Sequence, residues 1–585
     1  MARTGEDGAG RGGLRCGRCT AYLATTLGAV IAAVVLALAS APALAQPAAK
    51  PAAPAGGRAG ATASPSPEAA GHALVATDRT PLRAAPREGA AVQAELTQGD
   101  LLEVRGQRLD HLQVYDHRRE RAGFVRAEAV RRVSLQSADA DELLAVLRFL
   151  RHTPGQEALG IAYAAAYLRA ADAARIDAEP FDALGTMAER LAQRASTAGA
   201  RTGPTVAAQV DAAGAYGVRF VTLEREGRLH LCYDGEAFRR VLALKPEPAQ
   251  QARAMLALTR HDCVDPMLTP AARVAFDAWR ADLLDLPWHR GYDALAPLLK
   301  NRLHMRRAGL WAARAHQFSR LGRPVQPAAE RALAELATVN KSEFTDGDHL
   351  EYAEAAIRVG AARWAALPPS VTAGTTEAAA HGLRLVVRPG DEPGQTCVQL
   401  LAAEGALAAR SAARTTTVPA AAPADHAARA PAGGADAAAG PRLLAERCTF
   451  GTVWTRSAAV RPAGDALALA VQPLEGWTEL WVFRGEPVRS VDAREAGQGW
   501  RVDVLPPVAA APGLGYVEFA GWVPGPQPHL LVAREARAEG RFHRRFEVLA
   551  LDTLDAVKQA GAPQQLLAFG QWSDAQWRRR TVALR

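Results

Sequence analysis

An uncharged apolar run, AYLATTLGAVIAAVVLALA at residues 21–39, lies between an arginine-rich opening (MARTGEDGAGRGGLRCGRCT) and the small-residue stretch SAPALAQ. Basic, apolar and small-x-small segments in that order form a secretory signal peptide over residues 1–45, with cleavage expected between Ala45 and Gln46. An uncleaved anchor is the rival reading. Its most apolar part, Leu27 to Ala39, is short of the about 20 residues that cross a bilayer. Both readings put everything after Gln46 outside the cytoplasm, periplasmic or secreted. The chain must therefore fold in an oxidising compartment, and that constrains its cysteines first.

Beyond the leader four cysteines remain: Cys232, Cys263, Cys397 and Cys448. An even number in an exported chain points to two disulfides, for which three connectivities exist. Cys16 and Cys19 lie in the leader, where their C-x-x-C has no strand or helix to make it a redox motif. The formal charge is +8, and losing the four Arg and two acids of the leader leaves a mild excess. No basic stripe interleaved with aromatics occurs, so nucleic acid is excluded as a partner. Membrane contact is expected only through an uncleaved leader.

Composition then divides the chain. Residues 46–72 (QPAAKPAAPAGGRAGATASPSPEAAGH) are Pro, Ala, Gly and Ser without an apolar period and read as a disordered tether. Residues 73–134 alternate in short runs broken by Gly, Asp and Arg. Strands are expected near Ala73–Thr77, Val92–Leu96, Leu101–Arg105, Leu112–Asp116 and Gly123–Val125, enough for a small bent barrel. Residues 137–366 carry helical periodicity, with helices expected near Pro248–Arg260, Pro270–Leu284, Ala294–Phe318, Pro327–Thr338 and Asp346–Ala366 and no fixed repeat. One hairpin, VRFVTLEREGRLHLCYD, interrupts them, and Asp234 is placed to cap the helix GEAFRRVLAL. Residues 381–585 turn to strands around a low-complexity insertion at 403–441, expected to be disordered, which Cys397 and Cys448 bracket. A bridge between them would close the base of that insertion.

Residues 73–134 resemble the bacterial SH3-like (SH3b) family. The segments PLRAAPREGAAV, LTQGDLLEV, HLQVYD and AGFVRAEAV carry the resemblance, in the family's order and over about a tenth of the chain. It implies a barrel that binds peptidoglycan peptides or envelope proteins. Where the family often places Trp this chain has His111 and Phe124, and Tyr115 and Phe124 are the segment's aromatics. The candidate ligand groove is thus Tyr115, Phe124 and His111, although Phe124 suits the barrel core better. Two later units, AVRPAGDALALAVQPLEGWTELWVFRG and GWVPGPQPHLLVAREARAEGRFHRRFEVLALDTL, resemble WD- or TolB-type β-propeller repeats through turns at Arg461–Asp465 and Val523–Gln527. They lie about sixty residues apart, wider than the ~40–45 of a regular blade, so a small or partial propeller is expected. QLLAFGQW and RRRTVALR would add a last strand pair.

Two segments, HLCYD (230–234) and HDCVD (261–265), repeat His-x-Cys-x-Asp. Two His and two Cys could make a zinc site. In an exported chain a Cys232–Cys263 disulfide is the simpler reading, with His230 and His261 as ordinary neighbours. A Cys–His nucleophile lacks the third, orienting group. The Gly-rich GAGRGG belongs to the leader, TDGDHLEY reads as a helix start, and HMRRAGLWAARAHQFSRLGR as a cationic amphipathic helix. No G-x-S-x-G, H-E-x-x-H, Walker or EF-hand sequence occurs. No catalytic residue, cofactor or metal ligand is assigned.

The expectation is a multidomain α+β chain: a small SH3-like barrel, a mainly helical middle with one hairpin, and a C-terminal antiparallel β domain. Its expected role is non-catalytic binding or scaffolding in the cell envelope, with a cell-wall peptide or envelope protein as partner. Two alternatives stand beside it. One is an envelope hydrolase whose active site is assembled without a local motif, and the other is a scaffold whose barrel packs on its own helices.

Overall fold

The computed structural model describes residues 71–199, 201–225, 227–285, 291–366, 382–402, 442–486, 499–509 and 512–578. The leader, the tether before Gly71, the insertion at 403–441 and the final RRRTVALR strand except Arg578 lie outside the described residues. What is described is a mixture of helices and antiparallel sheets.

Seven short strands open it: β1 (Gly71–Val75), β2 (Thr80–Arg83), β3 (Val92–Leu96), β4 (Leu101–Arg108), β5 (His111–Asp116), β6 (Arg121–Arg126) and β7 (Val130–Val133). They pair in the order β3-β2-β6-β5-β4-β1-β7, and the described pairing does not return from β7 to β3. Five strands were expected here; β2 and β7 are additional. β2 was expected as part of a long first loop; Pro81 stands opposite Glu95 in the β2–β3 ladder, and β6 pairs β2 at Arg83. In β7, Val130 and Val133 are buried and the two arginines between them face out. The inner face gathers Leu82, Leu96, Leu102, Val104, Leu112, Val114 and Val125 into one apolar cluster.

This sheet is seated on helices. The first four are α1 (Ala140–Arg151), α2 (Glu157–Ala170), α3 (Glu179–Thr197) and α4 (Gly203–Gly214). Leu74 and Val133 of the sheet share a core with Leu143 and Leu150 of α1 and Leu159, Tyr163 and Tyr167 of α2. Gly99, at φ +92°, lets the β3–β4 turn reach α2: a Cβ there would lie 2.7 Å from the Ala158 carbonyl oxygen. Polar contacts complete the seat. Gln98 Nε2 donates to Gln156 Oε1 (3.0 Å), Gln209 Nε2 to Asp78 Oδ2 (2.7 Å), and the Tyr216 hydroxyl to the Gly99 carbonyl.

The hairpin β8 (Phe220–Arg225) and β9 (Arg228–Tyr233) follows, then α5 (Glu236–Ala243), α6 (Pro248–Leu258), α7 (Pro270–Leu284), α8 (Pro297–Arg320), α9 (Gln326–Ala337) and α10 (Asp346–Ala362). Their starts are written in local chemistry: proline in the first turns of α6, α7 and α8, and capping boxes at Glu247/Gln250 and Thr345/Asp348. Asp234 does satisfy a first-turn amide of α5, its Oδ1 accepting from Glu236 N at 2.9 Å, while Gly235 at φ +83° makes the actual junction.

Past α10 come a three-stranded sheet, β10 (Leu383–Pro389), β11 (Thr396–Ala402) and β12 (Leu443–Thr449), and a nine-stranded one. The latter comprises β13 (Thr452–Val453), β14 (Ala459–Val460), β15 (Ala466–Leu474), β16 (Trp477–Glu486), β17 (Gly499–Leu505), β18 (Leu514–Val523), β19 (His529–Ala538), β20 (Arg541–Ala550) and β21 (Ala556–Ala560). The two repeat-like units are joined by a parallel β16–β18 pairing, Trp477 opposite Gly515 and Thr478 opposite Tyr516. They therefore share one continuous sheet among the described residues. The three-stranded sheet packs Leu383, Leu385, Val398 and Leu400 on Leu467, Leu469, Trp481 and Phe483. QLLAFGQW, expected as a strand, instead contains the short helix α11 (Leu567–Trp572), which buries Phe569 against Phe546 and Trp577. An apolar run this short does not distinguish a strand from a helical turn by periodicity.

Candidate functional site

On β5, Leu112 and Val114 point into the sheet core, so alternation puts Gln113 and Tyr115 on the opposite face. Phe124 stands opposite Gln113, and Glu103 opposite Tyr115. Phe124 is half-buried on this outer face and does not join the core, against the expectation that it would. The Arg105 guanidinium lies 4.1 Å from the Tyr115 ring centroid, and His117 meets that ring edge-on at 4.8 Å. Glu103 accepts from Arg105 Nε (3.1 Å) and pairs with His117 Nε2 (2.7 Å), and these contacts hold its carboxyl below the usual range. The face thus offers two aromatic surfaces beside charges of both signs. His111 is not part of it. It is 2% exposed, and its Nδ1 meets Asp110 at 2.7 Å. His111 shares the alternation phase of Gln113 and Tyr115, yet at the start of the strand it is buried.

The two His-x-Cys-x-Asp segments come together through their sulfurs. Cys232 on β9 and Cys263, just past α6, form a disulfide pair with Cα atoms 5.8 Å apart, and Cys397 pairs with Cys448 across β11 and β12. The histidines diverge. His230 Nε2 faces Asp262 at 3.1 Å, whereas the His261 Nδ1 accepts from Arg280 Nη2 at 3.1 Å on the far side. A His230 ring nitrogen lies within 4.8 Å of both sulfurs, as a Glu446 carboxylate oxygen does at the other pair. Bridged sulfurs are not thiolates, so neither group supplies a zinc ligand set.

No protein-family model matches this chain, and no curated protein and no solved structure matches it. Its chemistry therefore has to be read from its own side chains.

Two further polar clusters lie in the helical layer. In the first, Asp277 and Arg280 of α7 are both fully buried and joined at 2.7 Å. Asp277 also accepts from Arg273 Nε (2.7 Å) and from Gln317 of α8, while Arg273 reaches Glu475 at the β15–β16 turn (2.8 Å). Burial pulls Arg280 down to about 10, and it stays charged at neutral pH. His261 is half-buried as a residue, but its Nε2 is enclosed against α8, where a Cβ on Gly309 would approach it to 2.7 Å. Burial, then Arg280 and Arg358, hold its imidazole well below the usual range. The ring is neutral, and since Nδ1 accepts from arginine, Nε2 carries the proton. With no room beside it, this cluster ties elements together.

The second cluster borders a small recess through Tyr292. Tyr292 precedes α8, His304 sits on α8 and Glu335 on α9. The Tyr292 hydroxyl is 2.6 Å from His304 Nε2, and His304 Nδ1 is 2.7 Å from Glu335 Oε2. Arg307 meets the other carboxylate oxygen at 2.8 Å. Despite burial, contact with His304 and Arg307 keeps Glu335 below the usual carboxyl range. The spacing of 12 and 31 residues between the three matches no local signature. The only signal available in sequence is helical phase: His304 and Arg307 stand one turn apart on α8.

Proposed function

We propose that the chain is an exported binding platform of the bacterial cell envelope, and that the outer face of its seven-stranded sheet takes a cell-wall peptide. The carrying observation is that face itself, where Tyr115 and Phe124 are displayed beside Arg105, Glu103 and His117 while the opposite face is filled with aliphatic core. Aromatic surface supplies contact area at low entropic cost. Paired charges of both signs suit a short peptide bearing both amino and carboxylate groups. The resemblance of residues 73–134 to SH3-like barrels supports the same ligand class, and the two cystine pairs support an oxidising, extracytoplasmic site of action.

Seating of the sheet on α1 and α2 supports the platform half of the reading. The binding face is held rigidly on a large body instead of swinging on a linker, because Leu74 and Val133 are shared with the helical core. For the same reason the face is best tested by surface substitution, since deleting the sheet would expose Leu143, Leu159 and Tyr163.

The test is amide hydrogen exchange of the full chain with and without soluble peptidoglycan stem peptides. Protection is expected to rise in residues 101–126 and to stay level in α8–α10. Unchanged exchange throughout 101–126 at saturating peptide would overturn the proposal. Protection arising only from envelope protein extract would redirect it to a protein partner.

A further inference from the structure

We infer that Tyr292, His304 and Glu335 form an acyl-transfer site, with Tyr292 as nucleophile, acting on small O-acyl esters such as acetyl esters. The inference is independent of the wall-binding face, which lies on a different element.

Three observations carry it. The first is the order of the contacts, hydroxyl to imidazole to carboxylate, at 2.6 and 2.7 Å. Glu335 as a carboxylate can only accept, so His304 Nδ1 carries a proton, and with Nε2 unprotonated the ring accepts from the Tyr292 O–H. That is the arrangement a general base needs to activate a hydroxyl. Second, the orienting group is itself fixed. Arg307 bridges Glu335 (2.8 Å) and Asp285 (3.3 Å), and Arg331 holds Asp285 at 2.6 Å. Third, Tyr292 lines a recess with Pro248, Ala252, Met255, Leu295 and Leu303 whose open volume is about 10 Å3. Such a volume holds about one water-sized group. A small acyl group such as acetyl is what so small a recess suits, lined by these apolar side chains and Gln251. Gly291 is required at this wall, because a Cβ there would come within 2.6 Å of Pro248 Cγ.

Burial raises the Tyr292 phenol above its ordinary value, so at neutral pH it is protonated and depends on a base. In the first step Tyr292 Oη bonds to the ester carbonyl carbon while its proton passes to His304 Nε2. The tetrahedral adduct then breaks its bond to the alkoxide, which leaves with the proton from His304. An acyl-tyrosine remains. Water attacks this aryl ester as His304 takes its proton; the carboxylic acid departs and the phenol is restored. The sum is ester plus water giving acid plus alcohol.

The experiment uses the full chain with p-nitrophenyl acetate, following p-nitrophenol release and locating the acetyl group by peptide mass spectrometry. Acetyl on Tyr292 is expected, with release reduced about a hundredfold in Tyr292→Phe and in His304→Gln. Tyr292→Phe keeps the ring and its packing, so circular dichroism should show it folded and it decides the matter alone if His304→Gln does not fold. Glu335→Gln should shift the pH profile of release, which a purely structural carboxylate would not do. Release by folded Tyr292→Phe equal to wild type, acetyl confined to lysines, or no release above the spontaneous rate would each overturn the inference.

Discussion

Arg363 and Glu518 form an ion pair from which solvent is nearly absent, at 4% and 0% side-chain exposure. Arg363 follows α10 and Glu518 lies on β18, so the pair bolts the helical layer to the nine-stranded sheet. Its guanidinium also stacks near Trp364 (4.2 Å) and Tyr516 (5.2 Å), and the Tyr516 hydroxyl donates to Glu535 at 2.5 Å. Thr478 adds a hydrogen bond to the Ala361 carbonyl at 2.7 Å.

Breaking that pair from one side should be costly. Arg363→Met leaves Glu518 charged and enclosed, and a loss of about 3–5 kcal/mol is expected. The double variant Arg363→Met/Glu518→Leu should recover most of it, because no charge is then stranded. Urea unfolding of the three proteins and the wild type checks both statements.

Close packing at the same junction makes a second prediction. A Cβ on Gly360 would lie 2.4 Å from the Tyr516 ring, whereas one on Gly347, in the first turn of the same helix, meets nothing within 4 Å. Gly360→Ala should destabilise by about 1–3 kcal/mol through overpacking. Gly347→Ala should be neutral or slightly stabilising, by up to about 1 kcal/mol. Thermal melts should fall for Gly360→Ala and hold or rise for Gly347→Ala.

The Cys232–Cys263 bridge closes a loop of 31 residues and pins the hairpin to the end of α6. Replacing both cysteines by serine should cost on the order of 3–4 kcal/mol in the chain-entropy treatment. Hydrogen exchange should rise first in residues 220–233, the strands the bridge holds. Exchange rising uniformly would assign the bridge a global role.

Acid should loosen the chain before its carboxylates titrate. Burial lowers His316 to about 4 and, with Arg280 and Arg358, holds His261 well below 6.5. The unfolded chain binds these protons below about pH 6.5 and the native chain does not, so stability present above 6.5 falls as pH drops toward 4. For His316 alone the loss by pH 4 is on the order of 3 kcal/mol. His316→Phe should flatten the pH dependence of stability between 6.5 and 4.

Much of this architecture is legible from residue order. Prolines and capping residues announced α6, α7, α8 and α10, and an even set of four cysteines from Cys232 onward pointed to two pairs, which are Cys232–Cys263 and Cys397–Cys448. Helix α4, in GPTVAAQVDAAG, escaped because its alanines and glycines give little amphipathic contrast, and only Val206, Gln209, Ala212 and Ala213 are buried. Strand β7 escaped because Arg131 and Arg132 fill its centre. On the outer face of the seven-stranded sheet, Tyr115 is legible from alternation; Phe124, expected in the core, is half-buried outside it, and His111, expected beside them, is buried. Tyr292, His304 and Glu335 could not be found, since their meeting depends on how α8 packs on α9 and on the path of the chain before α8.

The buried carboxylates share a pattern that composition hides. Glu157, Asp182, Asp277 and Glu518 are all 0% exposed, and each is answered by arginine from another helix turn or element. Guanidinium suits such sites because its planar fork meets a carboxylate while staying charged. The sign of each isolated residue says nothing of its partner, so this layer of specificity appears only once the helices are packed.

The central claim is that the Tyr115–Phe124 face binds the cell wall, and co-sedimentation of the full chain with purified peptidoglycan sacculi tests it most directly. Wild type should pellet with the sacculi, while a folded Tyr115→Ala/Phe124→Ala variant should remain in the supernatant. Equal pelleting of the two, or no pelleting of the wild type, would contradict it.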